Sequence, residues 1–214
     1  RNAIRNAKRI AVPGCYASGF ISMVYPLVAG GILPTSYPVS SFAVSGYSGA
    51  GKKTIAVYES GDRPREFASG REYALTQQHK HLKEMKAIAG LERMPLFSPI
   101  IDDYYSGMIV SLPLYTDMLS KPATVDSLRD HFAEYYRGEP FIRVGAADDE
   151  IAAGGFIAGN GLSGWDGLKL YVTGNEERVV VTAQFDNLGK GASGAAIQCM
   201  NIVLGCDEAK GLCL

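Results

Sequence analysis

Two runs of branched and aromatic residues, Leu168 to Thr173 and Arg178 to Phe185, face each other across Gly174-Asn175. Such a pair tolerates the positive φ values of a tight turn, so the segment predicts a β-hairpin. Any fold open to this chain must therefore carry antiparallel strands. Further strands are expected at Val39 to Ser45, Pro95 to Ile101, Met108 to Tyr115 and Phe141 to Val144. Tyr104 to Gly107 forms the turn region between the second and third of these. Phe20, Val24, Leu27 and Val28 recur at helical spacing, which predicts a helix over 16–29 that stops at Gly30-Gly31. Other helices are expected at Lys52 to Glu59, over 80–89, at Thr124 to Arg137 with Thr124 as its cap, and at Ala192 to Leu204, closed by Gly205. Residues 60–72 read as surface loop. Strands and helices mix without regular β-α-β alternation, so the expected class is α+β with a mixed or antiparallel sheet.

A chain of 214 residues with 47% hydrophobic and 20% charged residues has enough apolar material for a substantial core. Its net charge of -1 argues against nucleic acid or an anionic membrane as partner. Pro26 and the Gly30-Gly31 pair break the longest apolar stretch, Phe20 to Leu33, well short of the ~20 residues that span a bilayer. No signal-peptide core follows the basic first residues, so a cytoplasmic enzyme is expected. The four cysteines form no C-x-x-C pair. Cys199, Cys206 and Cys213 read as semi-buried thiols near the last helix.

Cys15 has a different setting. In Val12-Pro13-Gly14-Cys15-Tyr16 a Pro-Gly turn leads directly into a helix. Unpaired N–H groups and the macrodipole at a helix start favour negative charge, so a lowered thiol pKa and a nucleophilic role are expected, against the alternative of a buried turn cysteine. His79 and His81, in Gln77-Gln78-His79-Lys80-His81-Leu82-Lys83-Glu84, are candidates for general acid/base work or simply solvated residues. Glu84 can orient one imidazole, and on an ideal helix it lies nearer His81. No further ligand cluster supports a metal at His-x-His, so none is expected. His131 reads as a surface or packing residue.

Three segments imitate known motifs. Gly46 to Lys52 fits the P-loop spacing after a strand, but Lys53 stands where a magnesium-binding Ser or Thr is needed. The same loop can still hold an anion through its N–H groups and Lys52 or Lys53. Gly46-Tyr47-Ser48-Gly49-Ala50 approximates a serine-hydrolase elbow without evident partners. Gly159 to Gly164 matches G-x-G-x-x-G, yet a strand pattern follows it where a dinucleotide fingerprint needs a helix. A cysteine or serine acyl hydrolase and a P-loop nucleotide-binding protein remain the alternatives.

Taken in order, Pro13 to Tyr16, Ser45 to Lys53, His79-Lys80-His81 with Glu84, Gly107 to Val110, Glu139 to Ile142 and Asp186 to Ala196 resemble the shorter-chain type of the N-acetyl-gamma-glutamyl-phosphate reductase family. The resemblance implies the catalytic-domain fold of glyceraldehyde-3-phosphate and aspartate-semialdehyde dehydrogenases. It implies NADPH-dependent reduction of an acyl phosphate through a thioester on Cys15, in arginine biosynthesis. His79 is the implied acid/base, with His81 as second choice and Glu84 as a carboxylate near it. Ser45, Gly46, Ser48 and Lys52 are the expected substrate contacts. Asn187, Gly191 and Ala192 are the expected cofactor contacts. Residues 1–214 then form a catalytic and oligomerisation domain of a homo-oligomer, dimer or tetramer. Residues 186–205 lead into a helix that returns to a Rossmann domain. That NADP-binding domain precedes the cysteine in the family, so the resemblance implies a fragment inactive by itself.

Overall fold

The computed structural model describes residues 1–146 and 155–214. A short helix α1 (Asn2–Arg5) precedes the long α2 (Cys15–Ala29). Strand β1 (Ser40–Gly46) leads through a tight turn into α3 (Lys52–Tyr58), then β2 (Arg71–Glu72), α4 (Leu82–Ala89) and β3 (Leu96–Asp102). Strand β4 (Met108–Tyr115), α5 (Val125–Tyr135) and β5 (Ile142–Val144) follow, then β6 (Leu168–Gly174), β7 (Arg178–Phe185) and α6 (Gly194–Leu204).

The described strands form one mixed sheet in the order β2-β3-β1-β4-β7-β6-β5. β1 runs parallel to β3 and β5 parallel to β6, while the remaining pairs are antiparallel. The expected α+β class and the β6–β7 hairpin are both present. The 104–107 turn does not join neighbours, because β1 lies between β3 and β4. Gly46, Tyr47 and Ser48 donate their N–H groups to the carbonyls of Gly107, Tyr104 and Tyr105, which ties that turn to the end of β1. The 60–72 segment, expected as loop, also supplies the short β2 at the sheet edge.

Alternation gives the sheet one covered and one open face. On the covered face Ala43, Phe97, Val110, Leu112, Val181 and Leu170 are buried with Phe20, Met23 and Leu27 of α2, Met85 of α4 and Phe132 of α5. Pro26 sits inside α2. Its carbonyl pairs with His131 Nε2 at 2.9 Å and with the N–H of Gly30, so His131 is a packing residue that helps finish the helix. Thr124 and Ser127 form a reciprocal capping box at the start of α5. The open face presents Phe42, Leu96 and Tyr115, which are 41%, 65% and 57% exposed. No described helix is long and apolar enough to cross a membrane.

Candidate active site

Cys15 is the first residue of α2, with Gly14 as its N-cap. It borders a cleft of about 860 Å³. Three stretches build the walls: Val12 to Tyr16 at the start of α2, His79 to His81 ahead of α4, and Leu188 with Gly191 to Ser193 ahead of α6, with Asn187 beside them. Two glycines in the lining are where the walls meet. A Cβ on Gly14 would lie 2.1 Å from His81 Nε2, so the imidazole rests directly on the backbone before Cys15. A Cβ on Gly191 would lie 2.8 Å from the Cys15 Cβ, so the opposite wall closes against the stem of the Cys15 side chain. Any side chain at either position would push the walls apart.

Helices α2 and α4 pack together, and both begin at the cleft. The Gly14 N–H donates to Glu84 Oε2 at 3.2 Å. Glu84, expected beside an imidazole, therefore uses its carboxylate to hold the turn that delivers Cys15. Tyr16, buried behind the cleft, braces both imidazoles, with ring centroids 5.7 Å from His79 and 6.0 Å from His81. His79 is also packed against Phe97 and Tyr73. Its Nδ1 accepts the His81 N–H at 3.2 Å, and its Nε2 faces the Tyr73 hydroxyl at 3.5 Å. His81 is only 8% exposed, and its buried Nδ1 has no hydrogen-bond partner.

The electrostatics correct one expectation. Burial pushes the Cys15 thiol up from its ordinary pKa, and the N–H groups of Tyr16 and Cys15 with the Lys80 ammonium only partly oppose it. A helix start favours the thiolate, but desolvation is larger here. Burial likewise lowers His79, with help from the Lys80 charge. It lowers His81 further, to about 4, with His79 and Lys80 contributing. Tyr73 is pushed up to about 12 by burial. The resting site therefore holds a neutral thiol beside neutral imidazoles.

The other expected residues divide. Gly191 and Ala192 line the cleft, as does Asn187. The Asn187 side chain is committed inward, accepting from the Gly107 N–H at 2.8 Å and donating to Ser48 Oγ at 2.8 Å. Ser48 accepts that bond and does not border the cleft. Ser45 is buried and donates to the Gly46 carbonyl, while the Gly46 N–H pairs with Gly107. Lys52 is exposed at the start of α3 and does not border the cleft; Gly49, Ala50 and Thr54 represent that loop there. Gly159 to Gly164 is a loop, with its Ser163 hydroxyl donating to the Ser106 carbonyl. The bracing roles of Tyr16 and Tyr73 were not expected from the sequence.

A fold and site of this kind define a class, the semialdehyde dehydrogenase type. The family model described as "Semialdehyde dehydrogenase, dimerisation domain" matches residues 15–187, beginning at the cleft cysteine. Aspartate semialdehyde dehydrogenase II from Vibrio cholerae shares the fold, with a TM-score of 0.69 at 16% identity over 95% of this chain and 65% of that one. Among curated relatives, N-acetyl-gamma-glutamyl-phosphate reductase 2 from Nostoc sp. is 40% identical over 220 residues, covering 99% of this chain and 68% of its own. The N-acetyl-gamma-glutamyl-phosphate reductase from Allorhizobium ampelinum is 45% identical over 204 residues, covering 94% and 66%. The chain belongs to the N-acetyl-gamma-glutamyl-phosphate reductase family, and the catalytic-domain fold implied by its motifs is the one it has.

Proposed function

We propose that this chain carries the acyl-transfer half of an NADPH-dependent reductase that converts N-acetyl-gamma-glutamyl phosphate to N-acetylglutamate 5-semialdehyde, a step of arginine biosynthesis in the cytoplasm. The observation that carries the reading is the Cys15 thiol at the head of α2, on the wall of a large cleft, with an imidazole resting on the preceding residue.

Both partners begin neutral, so the thiol is activated as it reacts. His81 takes the proton from Sγ while the sulfur bonds to the γ-carbonyl carbon, and phosphate departs to leave a thioester. N–H groups at the start of α2 face the oxyanion of the tetrahedral species. His81 is the better acid/base of the pair because the His79 nitrogens are engaged with the His81 N–H and Tyr73. His79 then sets the position of its neighbour. The small-residue wall of Gly191, Ala192 and Ser193 suits a planar ring beside Cys15, and these residues would border the nicotinamide. When bound, NADPH supplies the hydride that reduces the thioester carbon. When the product leaves, the Cys15 sulfur would depart as thiolate and recover its proton from His81. In this reading a nucleotide-binding domain of the kind the family resemblance implies completes the cofactor site. In a chain extended to the relatives' full length, Cys15→Ala abolishes reductase turnover in an NADPH-oxidation assay; near-normal turnover rejects the scheme.

The same reading includes a homo-oligomer. The open face of the sheet carries Phe42, Leu96 and Tyr115 among the half-buried Val44, Ile109 and Val180, an apolar surface that a second copy can cover. Phe42→Asp is expected to lower the sedimentation-equilibrium mass; an unchanged mass places the interface elsewhere.

A further inference from the structure

The lining of the cleft is nearly free of charge. Among the described residues no Asp or Glu borders it, and Lys80 is the only Lys or Arg that does. The two imidazoles on either side of Lys80 are held neutral by burial. Lys80 itself is exposed, and no described carboxylate pairs with it. An unneutralised cation on an otherwise uncharged wall is a site for an anion. It stands between His79 and His81 in the lining that it shares with Cys15, and its charge is felt at the Cys15 sulfur. Lys52, the cation expected for anion binding, stands outside.

We infer that Lys80 binds the anionic group carried on the carbon that Cys15 attacks, the phosphate of the acyl phosphate, and so makes the cleft prefer negatively charged electrophiles. This rests on Cys15 being the nucleophile. The influence of the Lys80 charge on Cys15, His79 and His81 alike agrees with that location. An ammonium there also favours the transfer step, because negative charge gathers on the departing phosphate as the carbon–oxygen bond breaks.

The test needs neither NADPH nor a further domain. Cys15 in this chain is alkylated in parallel with iodoacetate, which is anionic, and iodoacetamide, which is neutral. Peptide mass mapping separates Cys15 from Cys199, Cys206 and Cys213. A change in the thiolate fraction affects both reagents equally, so the ratio of their rates reports only attraction for the anion. Lys80→Met is expected to lower the iodoacetate-to-iodoacetamide ratio about two- to fivefold, the scale of a solvent-exposed ion pair. Lys80→Arg is expected to keep it. Inorganic phosphate is expected to slow iodoacetamide labelling of Cys15 in the wild-type chain and not in Lys80→Met. A ratio that does not change while Cys15 is labelled overturns the role of Lys80 and leaves the nucleophile standing. So does phosphate protection that is absent in the wild type or persists in Lys80→Met. If neither reagent labels Cys15 in the folded chain while both label it after denaturation, the nucleophile reading falls, and Lys80 with it.

Discussion

His79 and His81 lie two residues apart with ring centroids separated by 4.6 Å, yet they occupy opposite chemical situations. His79 is half-buried among Tyr16, Tyr73 and Phe97, and its ring nitrogens face a backbone N–H and a hydroxyl. His81 is more deeply buried, lies against Gly14, and keeps a nitrogen without a partner. An imidazole whose nitrogens are both engaged suits a positioning role; one that keeps a nitrogen unengaged suits proton transfer. The difference comes from what packs around each ring, and the intervening Lys80 acts on both.

The largest consequence is kinetic. In a chain of the relatives' full length, His81→Gln is expected to reduce kcat by about 10²- to 10³-fold, the range for loss of a general acid/base. His79→Gln is expected to cost no more than about tenfold, since it disturbs only the support. Steady-state turnover of both variants decides the matter, and the reverse order would transfer the proton-moving role to His79.

Next in size is the response to acid. The folded-state pKa of His81 is about 4, against 6.5 for the unperturbed side chain. Between those values the unfolded chain binds the proton and the folded chain does not, so stability rises with pH across the window. The contribution is fully present above about pH 6.5 and lost as pH falls towards about 4, up to about 3 kcal/mol in all. His79, shifted in the same direction, adds to the trend. Urea unfolding at pH 7, 5.5 and 4 is expected to show a flatter pH dependence for His81→Gln than for wild type. Equal slopes would mean that His81 is already solvated in the folded state.

Much of this molecule could be read from its residues, and the pattern of success has a physical basis. The β6–β7 hairpin followed from Gly174-Asn175, and α5 from Thr124 and its apolar face, because those signals are local in sequence. The start of α2, expected at residue 16 and found at Cys15, followed from Pro13-Gly14 for the same reason. The insertion of β1 between β3 and β4 was not legible, since register across a sheet depends on residues far apart in the chain. The site shows the same division. Cys15, the histidines, Gly191 and Ala192 were identifiable as residues, and they do meet at one cleft. Their chemistry was not, because burial sets it: the thiol expected to be acidic is pushed up. The Gly46 to Lys52 loop looked like an anion cradle, yet its N–H groups at 46–48 are spent on the 104–107 turn and Lys52 faces solvent.

Glu84 gives the smallest effect and the finest test of the comparison between the two rings. If its carboxylate acts by holding the Gly14 N–H, any acceptor oxygen at that place suffices. Glu84→Gln then keeps kcat within a few-fold of wild type and leaves the pH–rate profile in place. Glu84→Ala loses the bond and about 1 kcal/mol of stability, with reduced Cys15 labelling because the turn ahead of α2 loosens. If the carboxylate instead fixed an imidazole's tautomer, an amide could not replace it. Glu84→Gln would then lose activity as severely as a histidine variant and shift the pH profile. Matching profiles for wild type and Glu84→Gln, beside a damaged Glu84→Ala, would leave the contrast between His79 and His81 to ring packing and backbone contacts alone, with no carboxylate needed to explain which one carries the proton.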